Sequence, residues 1–239
     1  MTSTADSVIL VNIGNTHTQI VQANAGKLGM IERISTSELT AEIFPESLPL
    51  AVASVAPAAT ARLRHRPIFE VNAQVVPRLD WHRVDTATLG ADRIANAVML
   101  AASSPLPGLC VDCGTAITVE TVIDGVFQGG CIAPGRLLMR RALHDYTAQL
   151  PMLDLTRNLP EQLGCNTVDA MTQGIDLGAI GIVRELVALA RRQLGDRLRL
   201  VAVGGDREFF LRRLPELTDG GDDFTLQGIL KIWEMNHAS

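Results

Sequence analysis

At 239 residues the chain can bury a sizeable core without disulfide or metal staples, and at ~150 residues per domain it holds one large domain or two small ones. Its 47% hydrophobic and 20% charged residues exclude a disordered chain, and a net charge of -5 argues against nucleic acid as a partner. No apolar run reaches the ~18 residues of a membrane helix, and Met1 to Ser7 lacks the basic segment of a secretory signal, so no membrane is expected and a cytoplasmic location is the default.

The first 35 residues read as strands. Ser7 to Ile13 is apolar and β-branched, and Thr18 to Gln22 and Met30 to Ile34 follow turns at Gly14-Asn15 and Asn24-Ala25-Gly26. Ser37 to Glu46 reads as a short helix, Leu50 to Val55 as a buried strand and Ala58 to Arg66 as a second short helix. Ile68 to Val71 and Gln74 to Val76 are weaker strand candidates. Ile94, Ala97, Val98 and Ala101 give helical spacing over Ala91 to Ala102. Ser103 to Gly108, with two prolines, ends that helix and sets the expected division into 1–105 and 106–239.

Strands then restart at Leu109 to Cys113, Ala116 to Ile123 and Val126 to Ile132. A helix is expected from Arg136 to about Gln149, and a long one from Thr167 to Leu194 with a bend near Gly174, Gly178 or Gly181. Leu198 to Val203 is a buried strand, Gly204-Gly205-Asp206 opens a helix, and Thr225 to Met235 reads as the last helix. Cys110 and Cys113 form a C-x-x-C, but residues three apart on a strand point to opposite faces and cannot share a metal. All four cysteines are expected to be reduced and mostly buried.

The halves repeat. Val11-Asn12-Ile13-Gly14-Asn15-Thr16 lies 100 residues before Val111-Asp112-Cys113-Gly114-Thr115-Ala116. Each lies between an apolar and an alternating strand, and each is followed by a turn at Gly26 or Gly125. A duplication predicts two similar lobes with a cleft between them.

A strand-glycine-strand turn presents backbone N–H groups that suit phosphate, although ordinary hairpins share the pattern. Asn15, Thr16 and Thr115 add polar groups, and an Asp two residues before the glycine suits a cation. In Gly90-Ala91-Asp92-Arg93, Asp92 favours the helix start, whereas the Arg93 cation opposes the dipole. Either Arg93 pairs with an acid, or it holds an anion with Asp92 beside it as a base. Gly129-Gly130-Cys131-Ile132-Ala133-Pro134-Gly135 and Gly204-Gly205-Asp206 are further strand-to-helix turns, read as nucleotide-lining or as plain packing.

Together with Asn166-Thr167, Thr147-Ala148-Gln149-Leu150-Pro151 and Thr225-Leu226-Gln227-Gly228, these motifs stand in the order seen in type III pantothenate kinases, which the chain resembles along its length. The resemblance implies the acetate kinase, sugar kinase, Hsp70 and actin superfamily: an α/β fold of two duplicated ribonuclease H-like lobes, mixed sheets flanked by helices. It implies ATP-dependent phosphorylation of pantothenate in coenzyme A synthesis, with Mg2+ and a monovalent cation, K+ or NH4+, and usually a homodimer. Asp92 would be the base. Gly90, Ala91, Arg93 and Thr167 would contact pantothenate. The turn Asn12, Gly14, Asn15, Thr16, His17, Thr18 and Gln19 would hold ATP phosphates, with Thr115 also on ATP and Asp112 on the monovalent cation.

Two positions depart from the family pattern. Asn12 stands where the family has an Asp that helps hold the divalent ion, and Arg83 stands where it usually has a Tyr lining the pantothenate site. Arg83 could bind the pantothenate carboxylate, accept an altered substrate or face solvent. Alternatives to the active kinase are therefore a non-catalytic homologue that binds nucleotide or a pantothenate-like ligand, and a kinase shifted to another small hydroxylated acid.

Overall fold

The computed structural model describes residues 7–103 and 107–237. Its elements in chain order are β1 (Ser7–Ile13), β2 (His17–Asn24), β3 (Lys27–Leu28), β4 (Glu32–Ser35), β5 (Leu50–Ser54), α1 (Pro57–Thr60), β6 (Ile68–Glu70), α2 (Ala91–Ser103), β7 (Gly108–Cys113), β8 (Ala116–Ile123), β9 (Val126–Pro134), α3 (Arg136–Asp145), α4 (Thr167–Leu194), β10 (Arg199–Val203), α5 (Arg207–Leu211), β11 (Thr218–Asp219) and α6 (Phe224–His237). They form two sheets flanked by helices. One has the order β3-β2-β1-β5-β6, with β4 also on β2; the other has the order β11-β10-β7-β8-β9.

Read from the opposite end, the second order matches the first strand for strand, with β7, β8 and β9 in the places of β1, β2 and β3. The parallel pair β5–β6 has its counterpart in the parallel pair β10–β11. The turns agree in detail: Ala25 and Gly26 have φ +48° and +76°, and so do Asp124 and Gly125. Two consecutive positive φ values are what a two-residue hairpin needs to match strand twist. The duplication expected from the sequence is therefore present in the fold.

The chain divides into two compact units that are not contiguous in sequence. One comprises Met1–Gly108, Glu120–Gly129 and Gly220–Ser239; the other comprises Leu109–Val119 and Gly130–Asp219. The division expected after residue 105 falls at residues outside those described.

In the first unit β1 lies between antiparallel β2 and parallel β5, so its run of apolar side chains is buried on both faces. Ile9, Val11 and Ile13 pack with Leu39, Phe44, Leu50, Val52 and Leu63. Helices α2 and α6 meet where Gly228 faces Ala95. A Cβ at 228 would lie 2.1 Å from the Ala95 carbonyl oxygen, so only glycine allows this approach. In the second unit Leu109, Val111 and Val119 pack against Ala179, Val183 and Val187 of α4 and against Leu200, Ala202 and Phe210.

Several local expectations need correction. Ser37 to Glu46 is not an α-helix but two 3-10 turns, Thr36–Glu38 and Ala41–Ile43. Its buried residues Leu39 and Ala41 are two apart, which one helix face does not allow, and Pro45 holds Phe44 extended. Ala58 to Arg66 keeps one α turn and finishes as a 3-10 turn. Gln74 to Val76 is no strand; Asn72 Oδ1 accepts from the N–H groups of Gln74 and Val75 and caps a 3-10 turn. The strand expected from Met30 starts only at Glu32, and α3 stops at Asp145. The 28-residue α4 is continuous through Gly174, Gly178 and Gly181, which border open space. Cys110 and Cys113 are buried thiols, Cys131 is half-buried and Cys165 is exposed.

A buried ionic cluster joins three elements of the second unit. Arg136, at the start of α3, donates from Nε and Nη2 to both oxygens of Asp176 on α4, at 2.9 and 3.0 Å. Its Nη1 donates to Asp206 before α5 at 2.7 Å. Arg140 Nη2 donates to Asp176 at 2.8 Å, while Arg140 Nε and Nη1 are buried with no hydrogen-bond partner among the described residues. Removing Asp176 takes the carboxylate from buried Arg140 and leaves Arg136 with that of Asp206, and loss of one member of such a cluster costs about 3–5 kcal/mol. Asp176→Ala is expected to lower the unfolding free energy measured by chemical denaturation by that amount. Replacing Arg136, Arg140 and Asp176 together with apolar residues of similar volume should cost far less.

Candidate active site

The turn after β1 is held from behind by two threonines. Thr18 is fully buried, and its hydroxyl lies 3.1 Å from that of Thr36. Thr36 Oγ1 donates to the Gly14 carbonyl at 2.8 Å, and its N–H donates to the Thr16 carbonyl at 3.0 Å. The Gly14 N–H donates to the His17 carbonyl at 3.0 Å and closes the turn. Of the residues expected here, Thr18 thus supports the turn with its side chain, while Asn15 and His17 are exposed. His17 Nδ1 accepts from Arg33 Nη2 at 3.1 Å. Partial burial, and then the Arg33 charge, lower its pKa, so the ring is neutral and adds no cation to the turn. Asn12 and Gln19 lie opposite each other in the β1–β2 register, joined by a 3.1 Å bond from Asn12 Nδ2 to Gln19 Oε1.

Gly90 to Arg93 opens α2, with the Gly90 carbonyl accepting from Ile94 N–H at 3.1 Å. A Cβ at Gly90 would lie 2.7 Å from Asp92 Oδ1 and 3.1 Å from Val55 Cγ1. Val55 N–H in turn donates to the Ile13 carbonyl at 3.0 Å, which sets this helix start beside the end of β1. Ala91 is buried. Asp92 Oδ1 accepts from the Arg93 N–H at 2.7 Å. Burial raises the Asp92 pKa above the ordinary aspartate range, and that N–H and the Arg93 charge only partly offset it. Arg93 Nε donates to Glu120 Oε1 at 2.9 Å, and the Glu120 side chain is fully buried. Arg93 therefore pairs with an acid, the first of its two readings, and its charge also reaches Asp92. Arg83 is exposed and donates to Gln128 Oε1 at 2.8 Å.

Asp112 to Thr115 belongs to the second unit. Two glycines approach it so closely that no side chain fits. A Cβ at Gly135 would lie 2.2 Å from the Gly114 carbonyl and 2.6 Å from that of Thr115; one at Gly204 would lie 2.4 Å from Asp112 Oδ1 and 2.6 Å from the Cys113 carbonyl. Gly135 N–H donates to Thr115 O at 3.0 Å, and Asp206 N–H to Cys113 O at 2.9 Å. The strand-to-helix glycine turns are thus packed around the second turn, and Arg136 ties both together through Asp206. Burial raises the Asp206 pKa, against the pull of Arg136. Thr167 is the exposed first residue of α4, next to an Asn166 cap that accepts from and donates to Asp169.

Glu120 escapes the sequence reading, and Arg136 and Asp206 enter it only as a helix start and as part of a glycine turn. Glu120 is a lone acid in an apolar strand, and Arg136 and Asp206 are charges beside glycine turns. A charge inside an otherwise apolar segment was the available signal, but its partner lies tens of residues away.

Among the described residues no helix is long and apolar enough to cross a membrane, and no group of three or more His, Cys, Asp or Glu could hold a metal ion. The expected α/β fold of two lobes, mixed sheets flanked by helices, is borne out by solved structures. A Baf family protein from Campylobacter jejuni matches with a TM-score of 0.66 at 19% identity, over 96% of this chain and 98% of that one. The ROK hexokinase of Thermus thermophilus matches at 0.53 and 16%, over 95% and 98%. A family model, type III pantothenate kinase, matches residues 8–189. The type III pantothenate kinase of Caulobacter vibrioides is 33% identical over 194 residues, 77% of this chain and 74% of that protein. That of Kosmotoga olearia is 30% identical over 249 residues, 95% of each. The matched model and relatives define a family of small-molecule kinases, and the chain belongs to it: the type III pantothenate kinase family.

A kinase family implies ATP and Mg2+. Magnesium is ordinarily held by one or two carboxylates together with the phosphates. The turn from Asn12 to Gln19 contains no carboxylate, so its residues do not fit a protein-held Mg2+. Asp112 and the Cys113 carbonyl, both against Gly204, are hard oxygen donors.

Gly204 has φ +87°, where any other residue costs about 1–2 kcal/mol before contacts are considered. Gly204→Ala should also displace Asp112, for a total loss of about 2 kcal/mol or more. Thermal denaturation checks the expectation.

Proposed function

We propose that this chain transfers the γ-phosphoryl group of ATP to the hydroxyl of pantothenate, giving 4'-phosphopantothenate in coenzyme A synthesis. The observation that carries the reading is the Asp92–Arg93–Glu120 arrangement at the start of α2: a carboxylate of raised pKa beside a cation fixed by a buried acid. Gly90, Ala91, Arg93 and Thr167 would contact pantothenate. The backbone and hydroxyl groups of the turn from Asn12 to Gln19, with Thr115, would receive the phosphates. The substrate hydroxyl oxygen attacks the γ-phosphorus, the bond to the ADP oxygen breaks, and Asp92 takes the hydroxyl proton. Such transfer needs positioning and charge neutralisation more than covalent help. Asp112 would hold K+ or NH4+, which supplies positive charge near the phosphates. A homodimer is part of the same reading.

The amide at position 12 favours a second reading, a homologue that binds nucleotide without transferring phosphate. Purified protein with ATP, magnesium, potassium and pantothenate, assayed for phosphopantothenate, separates the two. Product formation supports the kinase; ATP binding without product supports the second.

Asp92→Asn is expected to abolish transfer while leaving ATP affinity within about threefold. A raised folded pKa favours the neutral acid. Its contribution to stability is present below the ordinary aspartate pKa and lost as pH rises through the raised value. Charged Asp92 therefore costs stability at neutral pH, and the amide should raise the melting temperature. In the wild type, kcat/KM should fall as pH drops through that same raised value. A melting series and a pH–rate profile check both signs.

Exchanging K+ for Na+ should weaken ATP binding several-fold, and Asp112→Ala should remove the difference between the ions. Calorimetric titration in the two salts is the measurement. Equal affinities in the wild type would remove the cation from Asp112.

A further inference from the structure

Around Asn12, the hydrogen-bond directions are fixed by a backbone group. The Asp222 carbonyl can only accept. Gln19 meets it with Nε2 at 3.1 Å, which leaves Gln19 Oε1 on the Asn12 side. Asn12 answers with Nδ2, at 3.1 Å. Donor and acceptor therefore alternate in one sense along the row, and Oδ1 is the polar atom that Asn12 has left to offer. Asn12 and Gln19 are direct cross-strand partners, and cross-strand pairs set side-chain geometry in a sheet.

We infer that Gln19 and the Asp222 carbonyl lock position 12 as a neutral oxygen donor, so that this turn takes nucleotide phosphates with little help from a divalent cation. A carboxylate at 12 has no hydrogen to give to Gln19 Oε1. The two acceptors would face each other across the strand pair. Turning the Gln19 amide around relieves that contact, but then points Oε1 at the Asp222 carbonyl and moves the conflict one place along. The amide at 12 is thus tied to the residue at 19, and restoring a carboxylate requires changing both. Valine at 19 removes the acceptor and suits a strand. The ligand part of the inference rests on the kinase reading; the lock does not.

The test uses four full-length proteins: wild type, Asn12→Asp, Gln19→Val and the double variant. Thermal unfolding without ligand reads the lock. Asn12→Asp should melt about 2–4 °C below the wild type, and adding Gln19→Val to it should recover most of that loss. Calorimetric ATP titration in EDTA and in saturating Mg2+ reads the metal dependence. Wild-type affinity should change by less than about threefold between the buffers, and the double variant should gain about tenfold on adding Mg2+. An Asn12→Asp protein as stable as the wild type, or one not rescued by Gln19→Val, overturns the lock. A wild-type gain of about tenfold or more with Mg2+ overturns the metal part. Failure of the wild type to bind ATP in either buffer removes the nucleotide reading of the turn, and with it the metal part, while the four melting curves still decide the lock.

Discussion

The second unit depends on one steric constraint: two backbone segments must reach the carbonyls of Cys113, Gly114 and Thr115 at distances that admit no Cβ. Gly135 and Gly204 meet that constraint. Both precede helices, so the approach that closes on the turn also brings the starts of α3 and α5 to it. Arg136 follows Gly135 and Asp206 follows Gly204 by two residues, and their ion pair fastens the two segments. Burying these charges is expensive in itself, and an apolar cluster could hold the same elements. What the ionic cluster adds is direction. The two oxygens of Asp176 face two nitrogens of Arg136, which fixes the start of α3 against α4 more narrowly than side-chain packing alone.

The two halves share strand order yet solve the same problem differently. The first turn has three residues between its strands, and it is braced by the hydroxyls of Thr18 and Thr36. The second has two, and it is braced by glycine-mediated backbone contact and the ionic cluster. A hydroxyl brace occupies side-chain space behind the turn. A glycine brace brings foreign backbone directly onto it. Only the second arrangement includes a carboxylate, that of Asp112, which lies with the Cys113 carbonyl against Gly204. The first turn offers amides, hydroxyls and backbone N–H groups.

Much of this was legible in the sequence because the strands carry unambiguous period-two or all-apolar patterns and their turns carry glycine. The runs from Ser7 to Ile13, Ala116 to Ile123 and Thr167 to Leu194 end where the structure ends them. The segment from Ser37 to Glu46 did not read correctly because its apolar residues answer to a core that no local pattern reveals, and because 3-10 turns have no strong period of their own. Turn residues such as Gly14, Gly90 and Gly114 stood out as conformational requirements. Glu120 did not, and Asp206 did so only as part of its glycine turn, because their importance is relational. Glu120 matters through Arg93, 27 positions away, and Asp206 through Arg136, 70 positions away. Neither spacing has a signature in a single sequence. Gln19 was read as part of a turn, whereas its role depends on a carbonyl 203 positions away.

Asp92 and Asp206 show how one electrostatic effect serves two ends. Burial raises the pKa of each, and a neighbouring arginine partly restores it. For both, the charged form is the one that folding disfavours, so both cost stability at neutral pH relative to an ordinary exposed aspartate. Asp206 has an evident return in structure, since its carboxylate meets Arg136 with both oxygens. Asp92 has no such bidentate partner. Its Oδ1 takes a backbone N–H, and the neighbouring guanidinium sends its Nε to Glu120 instead. The two carboxylates thus differ in contact: Asp206 closes on its arginine, whereas the arginine beside Asp92 is held by a second acid.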